Sequence, residues 1–157
     1  MTDVSPAADV SYPADGFTLF PDRSVVALRV DGELKDLATV VAATDVVEPV
    51  TVDSPDGLAI LRHSTAHVLA QAVLGMWPGA TFAGGPAIDD GFYYDFELPG
   101  GATFSEDDLA AIEARMREII AADQPFERFE LPVGEAKDLM SAHPYKQAFM
   151  DLAESGD

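Results

Sequence analysis

The chain has 157 residues, 48% of them hydrophobic, which is room for one ordinary domain or for a small module joined to part of another, each with a core. Nine basic against 28 acidic side chains give a formal charge of −19, which opposes long-range attraction to a phosphate backbone or an anionic membrane surface. The absence of cysteine excludes a disulfide framework and a thiolate nucleophile, no run reaches the roughly 20 apolar residues of a membrane span, and without a basic, apolar start a cytoplasmic location is expected.

Residues 1–16, rich in Pro, Asp, Ala and Ser, read as a disordered or loosely attached lead-in. Residues 24–30 read as a β-strand, Asp31-Gly32 as a tight turn, 33–37 as the returning strand and 46–52 as another. Residues 17–53 are thus expected to form a small β-rich module. A helix follows: Ser54 can cap it, Pro55 suits its first position, and Pro78 and Gly79 close it after Trp77. At about 100° per residue, Leu58, Leu61, Leu69, Ala72 and Met76 share one stripe, whereas His63 and His67 fall together near the opposite side.

Two imidazoles one turn apart can hold a metal, shuttle protons or hydrogen-bond a substrate. The zinc-protease pattern needs a Glu directly after the first His, and Ser64 stands there, so that reading fails. The third histidine, His143, precedes Pro144 and reads as a loop residue. A metal set would have to rest on histidines and carboxylates, with His63, His67 and His143 the candidate imidazoles, and none is assigned.

Residues 81–83 and 91–98 are strand candidates with a turn at Asp89-Asp90-Gly91, which predicts a hairpin. Tyr94 alternates with Phe92 and Phe96 on one strand face, a position equally suited to a core or to a pocket wall. Ser105 with Asp108 three residues on marks a helix start, Phe104 can staple against Leu109, and Leu109, Ile112, Met116, Ile119 and Ile120 give the helix an apolar face. Pro125 ends it. Residues 126–133 alternate like a strand, 135–140 make a short helix, and His143-Pro144 breaks the chain before 145–153. On these grounds alone Lys146 would be a solvated charge.

The run Ile60-Leu61-Arg62-His63-Ser64-Thr65-Ala66-His67-Val68-Leu69, then Trp77-Pro78, Gly85-Pro86, Ile88-Asp89-Asp90-Gly91-Phe92-Tyr93-Tyr94-Asp95 and Pro144-Tyr145-Lys146 resembles, in order and spacing, the amino-terminal half of bacterial threonyl-tRNA synthetases. The resemblance implies an α+β fold, in which a reduced β-grasp (TGS) module over 17–53 precedes the first, incomplete part of a helix-on-sheet editing domain over 54–157. That domain hydrolyses seryl-tRNA mischarged in place of threonyl-tRNA. By the resemblance, His63 and His67 line the pocket for the charged 3′ end, Tyr94 shapes its wall as a substrate-binding residue, and Lys146 positions the reacting ester or water. The family completes this pocket with a Cys-x-x-x-His segment that the chain lacks. It also implies that ATP, magnesium and zinc serve an absent catalytic core, that the chain alone does not aminoacylate, and that its partners are the acceptor end of tRNA(Thr) and the rest of a homodimeric synthetase, with no membrane. Two other readings are a free-standing trans-editing hydrolase of the alanyl-tRNA editing type, and a non-catalytic tRNA- or protein-binding module.

Overall fold

The computed structural model describes residues 4–125 and 129–155. The chain folds as two units that divide between His63 and Ser64, inside a helix. The architecture mixes helices with small antiparallel sheets, in agreement with an α+β class.

The first unit is built on the tight turn expected from its sequence. Asp31 (φ 51°) and Gly32 (φ 88°) both adopt left-handed backbone, the conformation that a two-residue hairpin turn needs. It joins β1 (Val25–Val30) to β2 (Glu33–Lys35), with Val30 opposite Glu33. Strand β3 (Val47–Thr51) lies antiparallel on the other edge of β1, giving the order β2-β1-β3. A single turn of helix, α1 (Gly16–Leu19), is capped by Asp15, whose carboxylate accepts the Thr18 N–H at 2.8 Å. That cap delivers Leu19 and Phe20 into a core with Ala14, Val25, Leu28 and Val41. Burying each of the larger side chains is worth about 1.5–3 kcal/mol.

Part of the first 16 residues takes part in this packing. Ala14 exchanges both backbone hydrogen bonds with Val41 (3.1 and 2.8 Å), and the Ala7 N–H donates to the Leu19 carbonyl at 2.8 Å. Val4 and Val10 lie against the core. Apolar residues spaced among the Pro and Asp are enough to fasten a segment whose average composition reads as disordered.

Helix α2 (Pro55–Met76) starts where the sequence marks it. The Ser54 hydroxyl accepts the Gly57 N–H at 3.0 Å and donates to the Thr51 carbonyl at 2.7 Å. Gly57 is required there, because a Cβ would run into the Thr51 backbone carbonyl. Asp56 pairs with Arg29 of β1. The expected stripe holds in its second half, where Ala72 is buried and Leu69 and Met76 pack against the core, but Leu58 and Leu61 are exposed at 38% and 45%, and Ala66, Ala70 and Val73 are buried beside it. Small side chains permit the closest approach of neighbouring backbone, which a pattern weighted toward Leu overlooks.

In the second unit, β4 (Thr81–Phe82) pairs with β7 (Phe96–Glu97), and β5 (Ala87–Ile88) with β6 (Gly91–Phe92) around the Asp89-Asp90 turn. The expected strand over 91–98 is therefore broken at 93–95, where the chain closes the outer ladder by backbone bonds from Ala83 to Asp95 (3.1 Å) and from Asp95 to Gly84 (3.3 Å). After a 3-10 turn (Pro99–Gly101), α3 (Glu106–Ala121) opens on a full capping box between Ser105 and Asp108. Ile112 and Ile119 join Ala72, Val73, Ala80 and Leu98 in the core. Leu109 and Ile120 do not; each is 61% exposed.

Of the strand expected over 126–133, residues 126–128 lie outside the described residues, 129–132 are irregular, and Val133 already opens α4 (Val133–Leu139). Alternation alone makes no strand without a ladder partner. Helix α5 (Pro144–Ser155) begins at Pro144, with the His143 carbonyl accepting from Lys146 (3.0 Å) and Gln147 (3.2 Å). An ion pair of 2.6 Å between Lys137 and Asp151 joins α4 to α5.

Candidate functional site

The β4–β7 register sets Phe82 opposite Phe96, and the break after β6 lets Tyr94 fold back onto this pair. Its ring stacks on Phe96 at 4.9 Å with 18° between planes and tilts against Phe82 at 6.0 Å. Gly85 faces Tyr94 so closely that a Cβ would enter the ring. Burial pushes the Tyr94 hydroxyl pKa up. On the far side, Phe96 meets Phe104 edge-on (6.0 Å), and Phe104 meets Trp77 edge-on (5.4 Å).

The start of α5 rests on the same pair of strands. The His143 imidazole lies 4.8 Å from the Phe82 ring, and the Lys146 ammonium stands over that ring, 5.3 Å from its centroid. The Tyr145 hydroxyl, between them, donates to the Glu97 carboxylate at 2.9 Å, which also accepts the Thr81 hydroxyl at 3.4 Å. Donation to Glu97, then that group's charge, holds the Tyr145 pKa above its usual value. The Nδ1 atom of His143 is buried without a hydrogen-bond partner.

His67 is exposed and lines an open cleft of about 260 Å³ with Val68, Gln71, Ile119, Ile120, Gln124 and Pro125. The Gln71 amide donates to the Gln124 carbonyl oxygen at 3.0 Å across this cleft. Its lining includes neither Tyr94, His143 nor Lys146. His63 is exposed one turn earlier on α2 and belongs to the first unit. Among the described residues, no group of three or more His, Asp or Glu side chains is gathered closely enough to hold a metal ion.

Of the four residues singled out in the sequence, the structure thus brings Tyr94 and Lys146 together, through Phe82, and sets His67 in a cleft of its own. The ammonium can donate to an anion or a developing oxyanion, and the phenol ring supplies an apolar wall. Phe82 and Glu97 were not singled out. Both stood in strand candidates, and only the pairing of β4 with β7, together with the return of α5, gives them a role.

No protein-family model matches the chain. Strong similarity is found to curated proteins named threonine--tRNA ligase. That of Leifsonia xyli is 55% identical over 146 residues, covering 93% of this chain and 21% of the relative. That of Parafrankia sp. is 50% identical over 134 residues (85% and 20%), and that of Bifidobacterium longum is 43% identical over 150 residues (95% and 22%). The chain spans about a fifth of the length of the relatives it matches.

Proposed function

Because the chain is homologous to the amino-terminal fifth, roughly, of bacterial threonine--tRNA ligases, we propose that it contributes to hydrolytic removal of serine from mischarged seryl-tRNA(Thr) within such a synthetase. On this reading residues 17–53 are a reduced β-grasp module and 54–157 the first part of the editing domain. Ligation itself, with its ATP, magnesium and zinc, belongs to parts of the synthetase beyond the matched region. The acceptor end of tRNA(Thr) and the rest of a cytoplasmic, homodimeric enzyme are the partners. Among the described residues no helix is long and apolar enough to cross a membrane.

The observation that carries the reading is the identity of about half of all positions over most of the chain. The convergence of Tyr94 and Lys146 on one ring supports it. Hydrolysis adds water across the ester. The water oxygen bonds to the acyl carbon, the bond to the ribose oxygen breaks, and the proton goes to that oxygen, leaving free serine and uncharged tRNA. Lys146 is suited to donate to the carbonyl oxygen as negative charge develops, whereas His63 and His67, with the cleft beside His67 lined by neither Tyr94 nor Lys146, are read as holding the charged 3′ end. A pocket that accepts serine and refuses threonine needs only to exclude one methyl group, which sterics do readily.

The test joins this chain to the remainder of the Leifsonia xyli ligase, in place of the 146 residues it matches, and follows deacylation of seryl-tRNA(Thr). The chimera is expected to hydrolyse it, and the His63→Ala/His67→Ala chimera to lose most of that activity. Equal rates in the two would overturn the reading. The purified chain alone, with the same double variant, decides whether the site needs the rest of the enzyme.

A further inference from the structure

Phe82 is where Lys146, read as acting on the ester, meets Tyr94, read as the pocket wall. Its ring lies 6.0 Å from that of Tyr94 and 5.3 Å beneath the Lys146 ammonium, with the His143 imidazole at 4.8 Å. A cation within about 6 Å of a ring centroid is attracted by the negative face of the π-system. In a chain with 28 acidic side chains, Lys146 nevertheless forms no ion pair with a described residue. The ring is what holds it.

The strand that carries the ring is anchored in turn. Phe82 sits in register with Phe96, its neighbour Thr81 with Glu97, and the Glu97 carboxylate takes the hydroxyls of Thr81 and Tyr145. The strand pair thus grips α5 at two adjacent residues, Tyr145 by hydrogen bond and Lys146 by its charge. Four rotatable bonds leave a lysine ammonium poorly aimed unless something selects one arrangement.

We propose that Phe82 is a positioning residue: its ring face fixes the Lys146 ammonium relative to Tyr94, and so aims the cation at the ester. This rests on the reading above of Lys146 as a group that acts on the ester. A leucine at the position keeps apolar bulk but has no π face, whereas a tyrosine keeps both. Losing an attraction of the usual cation–π size corresponds to about a 2- to 5-fold loss of rate.

The test has two arms. In this chain, the Lys146 Hε protons are expected to be displaced upfield by the ring current of Phe82. The displacement is expected to vanish in Phe82→Leu and to persist in Phe82→Tyr, with the Trp77 indole resonance unchanged as a check that the unit is folded. In the chimera, Phe82→Leu is expected to lower kcat for seryl-tRNA(Thr) hydrolysis about 2- to 5-fold at constant KM, and Phe82→Tyr to restore it. Undisplaced Lys146 protons in the parent chain, or equal kcat for Phe82→Leu and the parent, would overturn the proposal. A Lys146→Ala chimera that hydrolyses at the parent rate overturns the functional reading instead. The ring-current arm needs no turnover and still decides whether Phe82 holds the ammonium.

Discussion

The two units solve the same problem, covering a small antiparallel sheet, with opposite means. In the first, strands of six and five residues pair along their length, with one register shift between Val25 and Ala27, and three of the four largest fully buried side chains, Leu19, Leu28 and Val41, sit in its core. In the second, the strands are two residues long, and aromatic rings touching at their edges and faces take over much of the work. A ladder fixes backbone. A set of rings fixes side chains, and side chains are what a reactive site needs held. Of the residues expected to act on a substrate, His67, Tyr94 and Lys146 lie in the ring-built unit, and His63 in the other.

Substitutions sharpen this contrast. The largest effect is expected from Leu28→Ala, which empties a fully buried position. The loss should be about 4 kcal/mol, read as a lowered urea midpoint for the amides of β1 and β3. Gly57→Ala should cost about 3 kcal/mol by the same measurement, because its Cβ meets a backbone carbonyl, that of Thr51, which cannot swing aside.

Gly85→Ala is the matched experiment in the second unit. Here the obstacle is the Tyr94 ring, a side chain with its own rotamers, so the expected cost falls to about 1.5 kcal/mol. The signature should be a displaced Tyr94 ring spectrum with Phe96 stacking lost. A Gly85→Ala cost equal to or above that of Gly57→Ala would show that the rings are as rigid as the ladder, and the contrast would fail.

The smallest effect is expected at the start of α3. Ser105→Ala removes the cap for about 1 kcal/mol, measured by thermal melting. The hydroxyl and N–H of Ser105 hold the Asp108 carboxyl below its ordinary value of 3.8. A carboxyl depressed in the folded state contributes stability that is present above that ordinary value and lost as pH falls through the folded one. Protection of the first-turn amides of α3 should therefore decline on the acid side of 3.8, and the decline should shrink in Ser105→Ala.

Local chemistry made much of the fold legible in the sequence. Ser54 with Pro55, Asp31 with Gly32, and Ser105 with Asp108 act within a few residues, so reading them requires no knowledge of what lies across the molecule. What depends on distant contacts was misread. Leu58 and Leu61 stand exposed, while Ala66, Ala70 and Val73 on α2 are buried beside the expected Ala72. The strand over 91–98 breaks because Asp95 bonds to Ala83 and Gly84, and the lead-in is held by Val41, 27 residues beyond Ala14 by number. At the candidate site, motif resemblance singled out His63, His67, Tyr94 and Lys146, but Phe82 carries no chemistry of its own. It acquires a role only when a hairpin and a helix start, some 60 residues later, deliver two neighbours to its ring.

The edge-on contact of Trp77 with Phe104 gives the molecule an optical asymmetry. Trp77 is the only tryptophan, and three of the four tyrosines, Tyr93, Tyr94 and Tyr145, also lie beyond residue 63. Intrinsic fluorescence therefore follows the ring-built unit almost alone. Collapse of the ladder around Leu28 would leave the emission nearly unchanged while the far-ultraviolet dichroism fell, so the two signals, recorded together on one sample, separate the melting of the two units without a label.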